Sequence, residues 1–128
     1  MDPQLFLDSA VAMAADSQEI NCRNAISRAY YAAYHCAISS FDEIHKRSKC
    51  STEPGGVHKR FFNELLKADA GSIERNIGFK LKTLHGRRVI ADYKLDEIVV
   101  SRDVAIQIDG TRSAMQLCHQ TFEGGSTT

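Results

Sequence analysis

The stretch Ala25-Ile26-Ser27-Arg28-Ala29-Tyr30-Tyr31-Ala32-Ala33-Tyr34-His35-Cys36-Ala37-Ile38 decides the fold. It holds no proline or glycine, and its apolar residues recur at helical spacing. Ile26, Tyr30, Ala33 and Ala37, continued by Phe41 and Ile44, follow one another at steps of four and three. At 100° per residue the six stay within about 80° of one another, which makes one core-facing stripe. The far side is not simply polar, because Ala29, Tyr31, Ala32 and Ile38 lie there with Arg28 and His35. A helix apolar nearly all round is buried on more than one side. The stretch therefore predicts a central helix or a subunit interface, within a helix over residues 20–47.

Outward from that segment the pattern stays helical. Asp2-Pro3 suits a helix start and predicts a first helix to about Asp16, with residues 17–19 as the connection. Residues 49–56 carry Pro54, Gly55 and Gly56 and predict a flexible loop. Phe61, Phe62, Leu65 and Leu66 place a helix over 57–68, which Asp69-Ala70-Gly71 breaks and Ser72 restarts. That next helix is expected to reach Ile90 despite Gly78 and Gly86, each costing about 1 kcal/mol. Residues 93–100 are read as an extended connection, since Ile98-Val99-Val100 has no partner strand. Ser101 is expected to cap a last helix to about Phe122, with a stripe of Val104, Ile108, Thr111, Met115, Cys118 and Phe122. The result is an all-α, up-and-down bundle of four to five helices in one domain over 1–123, with a disordered polar tail over 124–128.

Composition narrows the functions. The chain has 128 residues and 14.2 kDa, with 43% apolar and 25% charged side chains, an ordinary globular balance. Sixteen basic residues face sixteen acidic ones, which excludes a generally cationic nucleic-acid coat but not a local basic patch. No apolar run approaches the roughly 18 residues of a membrane span. The acidic start Met1-Asp2-Pro3-Gln4 has no basic leader, so no signal peptide is expected. Cys22, Cys36, Cys50 and Cys118 form no CxxC pair and read as reduced, buried thiols of a cytoplasmic protein.

Phosphate-loop and metal motifs are missing. There is no GxxxxGK[ST], no GxGxxG and no GxSxG, and the five histidines show neither HExxH nor His-x3-His. No cofactor or metal is expected. What remains is arginine paired with histidine. Arg28 and His35 are seven apart, as are Arg112 and His119, so each pair shares a helix face two turns apart. Histidine moves protons near neutral pH, and arginine holds a phosphate with a planar fork. Together they suit cleavage of RNA by its own 2′-hydroxyl, without metal. A second cationic cluster with aromatic company holds His85, Arg87, Arg88, Tyr93 and Lys94, and suits a phosphate or a stacked base. Each feature also has a plainer reading. The pairs serve equally as surface arginines and hydrogen-bonded histidines, Asp92 as a partner for arginine, and Tyr30, Tyr31 and Tyr34 as core aromatics whose hydroxyls need partners.

Ser27-Arg28-Ala29-Tyr30-Tyr31-Ala32-Ala33-Tyr34-His35 resembles the SRAYYAAFH signature of the HEPN superfamily, in its small stand-alone bacterial and archaeal branch. Arg88-Val89-Ile90-Ala91-Asp92-Tyr93 resembles that branch's second signature, an Arg followed by Ala-Asp-Tyr. The resemblance spans about residues 10–122. It implies a helical bundle, a homodimer, and a toxin–antitoxin or defence role beside a nucleotidyltransferase-like partner. Active members are metal-independent endoribonucleases with an Arg-x4–6-His motif on a late helix. Arg112 to His119 fits that spacing at its upper limit, with Ser113 where Asn, Asp or His is usual. Two functions follow as expectations. In one, Arg28, Tyr31, His35, Arg87, Arg88, Asp92 and Tyr93 bind nucleotide, RNA or the partner. In the other, Arg112 and His119 cut RNA at a dimer cleft. A purely structural helical protein is the third reading. In related pairs the partner adenylylates a tyrosine, and Tyr93 is the candidate here.

Overall fold

The computed structural model describes residues 1–126, with side chains to Thr121. Six α-helices form it: α1 Gln4–Met13, α2 Glu19–Ser40, α3 Asp42–Lys49, α4 Val57–Leu66, α5 Ile73–Tyr93 and α6 Ser101–Ser126. No strand occurs among the described residues, so 94–100 is a connection as the sequence predicts. The all-α bundle is as expected, but six helices replace four to five. The extra one comes from the long second helix, which stops at Ser40 instead of running to Arg47. Phe41 leaves helical backbone (φ −126°, ψ 48°) and turns its ring into the core. Its amide still donates to Ala37 O and its carbonyl still accepts from His45 N, so two backbone bonds bridge the corner at this one residue. Asp42 and Glu43 then open α3 against the helix dipole.

α2 is the central element, packed against α1, α5 and α6. Ala25, Ala29, Ala32, Ala33 and Ala37 are fully buried, and their small side chains admit the neighbouring helices closely. Two buried polar residues of α6 tie it to this backbone. Thr111 Oγ1 donates to Ala29 O at 3.0 Å, while Gln107 Nε2 donates to Leu84 O at 3.0 Å and reaches Ile26 O at 3.4 Å. The start of α5 is as expected, while other helix ends depart in small ways. Ser72 caps α5 by accepting from Arg75 N, after Gly71 at φ 83°. Ser101 does not cap α6. Asp103 does so from inside the helix, its carboxylate accepting from Val100 N at 2.9 Å. α1 stops at Met13, short of Asp16, and α5 continues three residues past Ile90. Of the expected tail, Gly124–Ser126 is helical, and residues 127–128 lie outside the described residues. Cys22, Cys36 and Cys118 are buried free thiols, whereas Cys50, expected inside, is exposed.

The α5–α6 connection is held by a buried arginine that the sequence reading did not single out. Arg23 on α2 donates to the carbonyls of Ile90, Ala91 and Lys94 at 3.0–3.3 Å, and to that of Glu97. Its Nη2, which also serves Glu97, and its Nε donate to the Glu19 carboxylate at 2.8 and 3.0 Å. The carbonyls at the end of α5 thus receive a fixed positive charge at the negative pole of the helix.

Candidate functional site

The two signature-bearing segments lie on α2 and α5, and these helices pack side by side. One network joins them. Arg88 Nη2 donates to the Tyr31 hydroxyl at 3.0 Å. Arg88 Nε lies 2.8 Å from Asp92 Oδ2, an ion pair whose N–H points off the line to the oxygen, so charge rather than a well-aligned hydrogen bond holds it. Ser27 Oγ donates to the same carboxylate oxygen at 3.2 Å. The guanidinium carbon sits 5.4 Å from the Tyr31 ring centre and 5.5 Å from that of Tyr93. Arg88 is therefore fixed between two aromatic faces by a hydroxyl and a carboxylate. Tyr93 is 67% exposed and offers its ring to solvent.

Four histidines extend this edge, one each from α2, α3, α4 and α5. The Tyr30 hydroxyl is fully buried and lies 2.5 Å from His58 Nδ1. Burial raises the Tyr30 pKa strongly, keeping the phenol protonated, and lowers that of His58 to about 4, keeping the imidazole neutral. The phenol thus donates to Nδ1, which assigns the ring proton to Nε2. His58 stacks on Tyr34 at 4.2 Å and on His85 at 5.5 Å. His85 and His45 are pushed down as well, burial first, with Arg88 and Lys59 adding to the effect at His85 and Lys49 at His45. His35 is lowered by burial under Phe6, whose ring stacks on it at 5.4 Å. Linear spacing hid this cluster, because its members come from α2, α3, α4 and α5. The sequence signal was the demand of Tyr30 and Tyr34 for polar partners. Among the described residues no group of three or more His, Cys, Asp or Glu is placed to hold a metal ion.

The other anticipated residues stand elsewhere. Arg28 is exposed on α2, one turn from Tyr31. Arg87 leaves α5 about 100° around from Arg88 and points its Nη1 at Gln107 Oε1, 3.5 Å away. Arg112 and His119 are both exposed on α6. They border different clefts, Arg112 one with Val11, Ala14 and Ile108, and His119 one with Pro3, Cys36 and Met115. The two turns between them span about 10 Å along the helix. Tyr31, His35, Arg88, Asp92 and Tyr93 come together, then, while Arg87, Arg112 and His119 do not join them.

Compared with known proteins by family model, by curated sequence and by solved structure, the chain matches none. No helix among the described residues is long and apolar enough to cross a membrane.

Proposed function

We propose that this chain is a HEPN-like binding module that takes a nucleotide or a short single-stranded RNA segment on the α2–α5 edge. One observation carries the reading: Arg88 is held between the Tyr31 and Tyr93 rings. Asp92 and Tyr31 engage two of its nitrogens, and the Nη1 edge has no protein partner among the described residues. That edge suits a phosphate, the exposed Tyr93 ring suits a base, and Arg28 adds a second cation. Both signature segments contribute, as the resemblance implies. A nucleotidyltransferase-like partner, in a toxin–antitoxin or defence setting, would present nucleotide to the same edge. Cytoplasmic location and a homodimer belong to this proposal as implications of the resemblance.

The test is binding of a fluorescently labelled single-stranded RNA 10-mer and of ATP, followed by anisotropy and thermal shift, with RNA integrity checked in EDTA. Saturable, salt-weakened binding that falls about tenfold in Arg88→Gln and in Tyr93→Ala, with RNA intact, supports the module. RNA cleavage that survives EDTA and disappears in His119→Ala supports the endoribonuclease reading through Arg112 and His119 instead. Neither binding nor cleavage leaves a structural helical protein.

A further inference from the structure

The connection between α5 and α6 exposes more apolar surface than a solvated turn needs. Leu95 is 75% and Ile98 81% exposed, and Val100 is also in water. They are not on a slack loop, because Arg23 holds the carbonyls of Lys94 and Glu97 from beneath. Beside them lies a cleft of about 560 Å³ floored by Ile26, Ile90 and Ile106. Its rim carries Asp96, Glu97 and Asp103. Arg87 is the one cation among the lining residues, and it already points at Gln107. A fixed apolar knob next to an apolar hole, ringed by carboxylates, is a preorganised docking surface.

The charges choose the occupant. A polyanion is repelled by the three carboxylates. A second copy docking the same face about a two-fold axis would bring like charges together. A small ligand filling the cleft would leave Leu95 and Ile98 in water. We infer that this face docks a cationic, amphipathic segment of another protein, its aliphatic side chains in the Ile26–Ile106 cleft and over Ile98, its lysines or arginines on Asp96 and Glu97. This surface is independent of the Arg88 edge, which leaves α5 about 100° away.

The experiment uses the full chain and a labelled synthetic 16-residue peptide of leucines and lysines arranged on opposite helical faces. Two control peptides replace Lys by Glu or Leu by Ser. Anisotropy is expected to show binding that weakens with salt, falls about tenfold in Ile98→Asp and in the Asp96→Lys, Glu97→Lys double variant, and is lost with both controls. Ile98 is so exposed that Ile98→Asp leaves the fold intact, which circular dichroism checks. Absence of binding, equal binding of the Glu peptide, or unchanged binding by Ile98→Asp overturns the inference. A dimer in sedimentation velocity that Ile98→Asp dissolves overturns it too, and gives the face to a second copy.

Discussion

Two residue-scale features have measurable consequences. Replacing Arg23 by Met removes donors from four buried or half-buried carbonyls at the end of α5. Destabilisation of about 3 kcal/mol is expected by urea unfolding, with faster amide exchange over residues 94–100. Arg23→Lys is expected to recover little, since one ammonium cannot reach carbonyls spread across the connection. The histidines set a pH dependence. His58, with its pKa lowered from 6.5 to about 4, takes up a proton more readily unfolded than folded, and His35, His45 and His85 are lowered in the same direction. The unfolded chain therefore binds more protons between these values, so stability is full above about pH 7 and declines as the pH falls from 6.5 toward 4. Thermal melting across pH 4–8 reads this directly, and His58→Gln is expected to flatten the acid limb. This cluster was illegible in the sequence because each histidine has an ordinary neighbourhood along the chain. Only the meeting of α2 with α4 and α5 sets them around Tyr30 and Tyr34.

At the scale of elements, periodicity located α4, α5, α6 and the start of α2 to within a few residues, because their apolar stripes are long. It missed the corner at Phe41. The stripe Ala37, Phe41, Ile44 keeps helical spacing across that corner, so periodicity cannot see a single residue leaving the helix while its side chain stays inside. Nor could the sequence separate the glycines of α5, whose environments differ. A Cβ at Gly86 meets nothing within 4 Å, whereas one at Gly78 comes 3.0 Å from Leu65 Cβ, a stiff neighbour in the core. Gly86→Ala is expected to stabilise by about 0.5–1 kcal/mol through helix propensity. Gly78→Ala is expected to destabilise by about 1 kcal/mol or more, since crowding against α4 outweighs that gain. Chemical denaturation of the two variants gives opposite shifts of midpoint if the packing of α4 on α5 is as described.

On the scale of the molecule, the bundle gives its two polar sequence signatures to one edge and spreads the Arg112–His119 pair over two clefts. The resemblance already grouped residues of both signatures in one site, but the contacts that join them, Arg88 to Tyr31 and Asp92 and Ser27 to Asp92, were not legible, since they depend on α2 and α5 running as neighbours. The opposite holds for Arg112 and His119, whose helical register was legible and whose exposure was not. The central claim is that the α2–α5 edge, not α6, is where a nucleotide lands. A 1H–15N NMR titration of the full chain with ATP tests it most directly. The account predicts saturable shifts grouped at Arg28, Tyr31, Arg88 and Tyr93 that vanish in Arg88→Gln and persist in Arg112→Ala. Shifts centred on Arg112 and His119, or none at millimolar nucleotide, would contradict it.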